Sequence, residues 1–438
     1  MADSQACVLL GRQAEQECRN PLRRFYHPAR FESAGIAIQN VDSARSLTVC
    51  PRLTAQALRL HYPRPMNANF LRDLAWVSQQ MPRTERALAQ LPSLHGVRLA
   101  CSMHLEIKMA PALSGLLGKG ATLFLTTCNP ATVSDEMVMW CVAQGAQVQA
   151  SRGMSQRDLD RAVAAALDFA PTHLCEMGAD LTVALVARAA PSQVCAGLEA
   201  TGSGTSRLAG LGNSIPYPIF NWDDLPIKEG LHNRHMVGLI TCSAFLERTR
   251  LTLHGKRVVV VGYGLVGQGV ADAARAFGGA VTVVERDPAR ALQAEFAGWK
   301  VEELPAALAK ADVIITATGA THVLGPTQLD LLKDGVFLLN VGHANQEIDV
   351  PALLAHPNSP VLPDLLRVDL PRSRRVFLFA MGAMANLAAG QGDSLNAFDV
   401  TLAALVAGVG FMVTKGATYR SGLHDLPREA WLPVAERL

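Results

Sequence analysis

The chain has 438 residues, 49% of them hydrophobic, enough to bury a large core and to predict two or three domains. Its 40 Lys and Arg nearly cancel its 38 Asp and Glu, and no block of like charge follows a phosphate backbone, so nucleic acid is excluded as a partner class. Nine cysteines are scattered without a CxxC pair or short ligand spacing, which argues for reduced thiols and against a structural metal.

The opening MADSQACVLLGRQAEQECRN lacks a positive flank followed by a long apolar stretch, and nowhere do 18 apolar residues run uninterrupted. The expectation is a soluble, cytoplasmic chain with no membrane partner. Residues 1–75 carry many turn formers and weak periodicity, and read as an N-terminal extension. Over 76–232 helical patterns alternate with short apolar runs at 97–105, 121–129, 146–151 and 171–178, a βα rhythm that predicts a parallel sheet covered on both faces. Ligands in such sheets sit beyond the carboxyl ends of strands, which places His104 and Asn129 at a site. Residues 201–226, rich in Gly and Pro, are expected to form a long loop, followed by a helix over 233–248.

The alternation resumes at 256 and stops near 380. Gly262, Gly264 and Gly267 form a GxGxxG that follows the apolar run 257–261 and opens a helix. In that context the first glycine permits the tight turn, the second lets backbone approach a pyrophosphate, and the third allows close packing of the helix. The helix N-terminus adds partial positive charge for the phosphates. Glu285, at the end of the next strand, is placed to accept hydrogen bonds from ribose hydroxyls and to repel a 2′-phosphate, which selects NAD over NADP; the adjacent Arg286 is the opposing signal. The HNRH cluster at 232–235 lacks a further spaced ligand, so no metal site is expected. The fold class is therefore α/β, with two doubly wound parallel-sheet domains. A Rossmann NAD-binding domain at 233–385 is inserted in a substrate-binding domain at 76–232, and helices at 386–438 return to the latter.

The run GKRVVVVGYGLVGQG from 255, ITATG at 315–319 and NVGHANQEID at 340–349 resemble the S-adenosylhomocysteine hydrolase family. So do SMHLEIKMA at 102–110, TTCNPATVSDE at 126–136, MGADLT at 177–182, Lys228, Asn233 and NLAAGQGD at 386–393, all in family order across about 78–400. The resemblance implies tightly bound NAD that oxidises a nucleoside 3′-hydroxyl, acidifies the C4′ proton, permits loss of a 5′ thiolate and addition of water, and returns the hydride. It also implies a homo-oligomer, a dimer or tetramer.

By the same resemblance the catalytic group comprises His104, Lys228, His343 and Asn233, together with His232 and Glu199. Cofactor contacts fall to Gly262, Gly264, Val266, Gly267, Glu285, Thr201, Ser203, Thr318, Gly319, Asn340 and Asn386, and substrate contacts to Glu106, Lys108, Asn129 and Asp393. The chain departs from the family pattern at several of these positions. His232 stands where the family has an aspartate, Met177 where it has a second one, and Asp393 where it has a histidine. Glu106 and Lys108 replace a threonine and a glutamate, exchanging acceptor for donor beside the base. Glu199 matches the ribose-binding glutamate only with a one-residue slip, and Leu265 and Gln268 replace an aspartate and a lysine.

The cofactor half is thus kept while the substrate half is remodelled. The expected function is an adenosylhomocysteinase-like, NAD-dependent thioether hydrolase acting on S-adenosylhomocysteine or a related thioether nucleoside. The alternatives are a paralogue that uses 3′-oxidation for a different elimination, addition or epimerisation, and a catalytically silent NAD-binding regulator.

Overall fold

A computed structural model describes residues 66–342 and 346–437. Residues 1–65 of the expected extension, and His343, lie outside the described residues. Residues 68–75 begin the helix Ala68–Gln79, whose first turn is closed by Asn67 accepting from the Asn69 amide at 2.9 Å.

The chain then alternates strand and helix through β1 (Arg98–Ser102), β2 (Thr122–Thr126), β3 (Gln147–Val148), β4 (His173–Glu176), β5 (Ala196–Glu199) and β6 (Pro218–Asn221). A second series follows: β7 (Arg257–Val261), β8 (Ala280–Val284), β9 (Lys300–Val301), β10 (Val313–Thr316) and β11 (Val336–Asn340). It is completed by β12 (Asn358–Leu362), β13 (Leu365–Leu370) and β14 (Arg374–Phe379), and the last strand is β15 (Gly422–Asp425). The first sheet has order β15-β6-β5-β4-β1-β2-β3 and is parallel throughout, so the chain comes back to it after building the second, β12-β13-β14-β11-β10-β7-β8-β9. That return is the insertion expected from sequence.

The central strands are near-continuous apolar runs because helices cover both faces. In β7 all four valines are buried, and in β1 Leu99, Ala100 and Cys101 have no exposed surface. The long helix Leu395–Lys415 is apolar around its whole circumference from Leu402 to Val413, and Leu402, Ala403, Leu405, Val406 and Val409 share the first core with Leu198 and Phe220.

Residues 201–226 are not one loop. Thr201 caps the helix Gly202–Leu211 by accepting from the Gly204 amide, and β6 follows, with Pro218 at its first position where a missing N–H is tolerated. The segment expected to open as an α-helix at 233 starts as a π-helix, Glu229–Met236, before the α-helix Val237–Thr249. Its C-terminal end crosses the dinucleotide helix Leu265–Ala276 backbone to backbone. A Cβ at Gly269 would collide with the Arg234 carbonyl, and one at Gly238 with the Gly269 carbonyl.

Glu176 and Glu199 are neighbours on β4 and β5, both buried. Burial, then the charge of Glu199, pushes the Glu176 carboxyl from 4.5 up to about 8, against hydrogen bonds from Leu181 N, Thr182 N and Thr182 Oγ1. Because the folded-state value is raised, the protonated form favours folding. Its contribution is full below pH 4.5 and is lost as pH rises through about 8. Thermal unfolding from pH 4.5 to 9 is therefore expected to show a falling Tm that flattens in Glu176→Gln; equal slopes in the two proteins would contradict this.

Candidate active site

A cavity of about 440 Å³ is walled by residues that follow strand ends in both sheets. From the first sheet come His104 after β1, Ala200–Ser203 after β5, and Trp222 and Asp223 after β6. From the second come Gly264–Val266 after β7, Ala317–Gly319 after β10, and Val341 and Gly342 after β11. Parallel sheets present unpaired backbone and helix N-termini at these ends, so both lobes aim binding groups into one space. Two further cavities, of about 740 and 870 Å³, are also lined by His104, which stands where the three meet.

The cofactor side is built by backbone. Gly262 has φ +99°, and a Cβ there would lie 2.7 Å from the Ala317 carbonyl; a Cβ at Gly267 would collide with the Gly262 carbonyl. Both are required for the turn itself, whereas Gly264 has φ −69° and a Cβ would meet only Arg290 Nη1 at 3.8 Å. The helix Leu265–Ala276 carries no side-chain cap, which leaves its first amides for an anion. Glu285 fixes the turn by accepting from Tyr263 N at 2.7 Å and Asp287 N at 2.9 Å. Asn386 is buried in the cavity wall, and its Oδ1 has no hydrogen-bond partner among the described residues, an acceptor suited to an amide donor such as a carboxamide. These features fit NAD. Asn340, by contrast, is engaged inside the protein with Thr316 Oγ1, Gly342 and the Gly382 carbonyl.

On the substrate side, Lys228 is 8% exposed, donates to the Ala200 carbonyl at 2.5 Å and pairs with Asp223, while its ammonium lies 5.0 Å from the Trp222 ring centroid. Two of its three N–H bonds are thereby used and the head group lines the cavity. One turn further on, His232 and Asn233 line the same cavity. His104 Nδ1 lies 2.8 Å from Thr132 Oγ1, whose own proton goes to the Asn129 carbonyl. The threonine oxygen therefore accepts from Nδ1–H, and the neutral imidazole keeps its lone pair on Nε2. Beside it Cys128 Sγ is 3.8 Å from Nε2; burial pushes this thiol well up, so it stays a thiol and not a nucleophilic thiolate.

Lys108 is saturated: it donates to Gln391 O at 2.7 Å and Asp393 O at 3.2 Å and pairs with Glu106 at 3.3 Å. It braces the 391–393 loop, and burial raises the Glu106 carboxyl against its pull. Asn129 spends its Oδ1 on the Ala131 amide as a turn cap. Glu199 does not reach the cavity; its carboxylate accepts from Gly178 N, Ala179 N, Ala200 N, Thr201 N and Thr201 Oγ1 with no exposed surface. Thr201 and Ser203 do reach it, as do Val266, Thr318 and Gly319.

Two residues went unremarked in the sequence. Asp223 pairs with Lys228, and its only signal was the WDD run upstream of the lysine. Glu347 is fully buried and holds the 317–319 loop by accepting from Thr318 N at 3.1 Å and Gly319 N at 2.6 Å; it sits inside the NVGHANQEID motif.

The family described as S-adenosyl-L-homocysteine hydrolase, NAD binding domain, matches residues 242–392. The chain is 32% identical over 375 residues to an S-inosyl-L-homocysteine hydrolase of Methanopyrus kandleri, covering 83% of this chain and 88% of that one. It is also 32% identical over 367 residues to an adenosylhomocysteinase of Thermococcus kodakarensis, covering 82% and 87%. A second S-inosyl-L-homocysteine hydrolase, from Methanothermobacter thermautotrophicus, is 31% identical over 344 residues, covering 76% and 82%. With the GxGxxG turn, the uncapped helix and the orphaned Asn386 oxygen in place for NAD, the chain belongs to the S-adenosyl-L-homocysteine hydrolase family.

Proposed function

We propose that the protein hydrolyses a nucleoside thioether of the S-adenosyl- or S-inosyl-L-homocysteine type through transient oxidation of the ribose 3′-hydroxyl. The observation that carries this is Lys228, a buried ammonium presented from the first lobe to the cavity into which the second lobe opens its glycine turn. Bound NAD supplies the hydride acceptor at C3′ and gives the hydride back, so no net oxidation remains.

Lys228 holds the 3′ oxygen and relays its proton, with Asp223 as counter-ion and the Ala200 carbonyl fixing its direction. Asn233, on the adjoining turn, supports that oxygen. His104, with Nδ1 tied to Thr132, serves the 5′ position: once the thiolate has left, its Nε2 accepts the proton of the water that adds to C5′, the proton that then neutralises the released thiolate. Trp222 and Met177 supply apolar wall that keeps bulk water from the ketone.

The test is to load the protein with NAD and mix it with S-adenosyl-L-homocysteine and, separately, S-inosyl-L-homocysteine. Reduced-nicotinamide absorbance within a single turnover, followed by release of free thiol from at least one of them, is the expected result. No absorbance change and no thiol with either compound overturns the reading in favour of a silent NAD-binding regulator. Absorbance without thiol favours a paralogue with a different elimination.

A further inference from the structure

Two departures from the family pattern, His232 and Asp393, meet in space. His232 Nδ1 lies 2.7 Å from Asp393 Oδ2, although the residues are 161 apart in sequence, and both line the cavity that contains Lys228. At Met177, where the family pattern places a carboxylate, the cavity wall is a thioether that accepts no proton.

The contact has the geometry of an oriented base. A carboxylate facing Nδ1 takes its proton, so the neutral ring carries the lone pair on Nε2, and Nε2 has no hydrogen-bond partner among the described residues. Asp393 is itself held, since its backbone carbonyl and that of Gln391 accept from Lys108, and only 7% of it is exposed. Its Oδ1 is buried without a partner, so the carboxylate has unspent charge with which to stabilise an imidazolium. The π-helix that begins after Lys228 places His232 four residues on, about one turn, so two groups of different chemistry face one cavity from neighbouring positions.

We infer that His232, oriented by Asp393, removes the C4′ proton of the oxidised sugar and later returns it; the inference rests on the 3′-oxidation reading above. In the forward step the C4′–H pair forms the C4′–C5′ double bond, the C5′–S bond breaks with its electrons on the thiolate, and the proton passes to His232 Nε2. When water adds, its oxygen bonds C5′, its released proton passes to His104 and on to the departed thiolate, and His232 gives its own proton to C4′, so atoms and charge close over the cycle. His232 is the catalytic residue and Asp393 the positioning one.

The charged groups that face His232 are few. Lys228 and Asp223 line the cavity beside it, Lys108 and Glu106 approach from the turn after β1 together with His104, and Asp393 comes from the 391–393 loop. Of these, Asp393 alone contacts the ring.

The experiment uses NAD-loaded protein with adenosine and with inosine in deuterated water. It follows nicotinamide reduction by stopped flow and C4′ proton exchange by NMR. His232→Asn is expected to keep reduction within about threefold and to slow exchange by about 100-fold or more. Asp393→Asn is expected to slow exchange about tenfold while keeping reduction within about threefold, because the ring loses the acceptor that fixes its Nδ1–H. A merely structural pair would lower both half-reactions together. Exchange at full rate in His232→Asn, or equal loss of reduction and exchange, overturns the assignment. Exchange at full rate in Asp393→Asn overturns it even if the histidine variant fails to fold. If the unaltered protein reduces no nicotinamide with either nucleoside, the 3′-oxidation reading falls and the inference with it.

Discussion

Gly264→Ala is expected to yield a protein that folds with unchanged stability and binds NAD at least 100-fold more weakly, a loss of about 2.7 kcal/mol. The backbone at 264 is in an ordinary extended region, and a Cβ there meets only the far end of Arg290, so apoprotein Tm should move within experimental error. The methyl instead occupies the space through which a pyrophosphate approaches the amides of the helix Leu265–Ala276. Gly267→Ala separates the two effects. Its Cβ collides with the Gly262 carbonyl, which is backbone and cannot swing away, so both apoprotein Tm and NAD affinity should fall. Titration calorimetry with NAD alongside thermal melts of stripped protein decides the matter. Equal melting of the two variants, or full affinity in Gly264→Ala, would show that the dinucleotide does not sit on this turn.

The second large effect is at Lys228. Lys228→Met keeps most of the stem volume and removes the ammonium; hydride transfer from a bound nucleoside should slow by about 10²- to 10⁴-fold, the range for a positioned proton-transfer group. Removing the cation also leaves Asp223, whose side chain is only 17% exposed, without its partner, and an uncompensated, poorly solvated charge destabilises. The double variant Lys228→Met, Asp223→Asn is therefore expected to recover Tm but not the hydride-transfer rate. Recovery of rate together with Tm would reduce the lysine to a structural counter-ion.

Much of this architecture was readable from residue order because the relevant strands are fully buried. RVVVV, TLFLT and VFLLN are continuous apolar runs ended by turn formers, and each became a central strand with its glycine- or asparagine-bearing turn at the carboxyl end. What escaped lacks that signal. β12, Asn358–Leu362, is exposed along its whole length and contains Pro360, so neither burial nor alternation marks it; it forms the sheet edge by pairing antiparallel with β13. The helix and strand within 201–226 hid behind glycines and prolines that serve as a cap region and a strand start. The site was legible where a motif carries its own backbone requirement, as at Gly262 and Gly267. It was not legible where long-range contacts decide a side chain's role. Nothing local shows that Glu199 is consumed by five neighbouring donors, that Lys108 braces the 391–393 loop, or that His232 meets Asp393 across 161 residues.

The crossing of Gly238 over Gly269 restricts how such a protein can be reassembled. The segment that carries Lys228, His232 and Asn233 leans directly on the dinucleotide helix, with carbonyls where side chains would otherwise stand. A chimaera that grafts a foreign nucleotide-binding lobe onto this substrate lobe, with any residue larger than glycine at the graft's equivalent of 269, would push the lysine segment outward and misplace the sugar. The two lobes are therefore not interchangeable cassettes, and successful transplants should be those that carry the matched glycine pair across the junction.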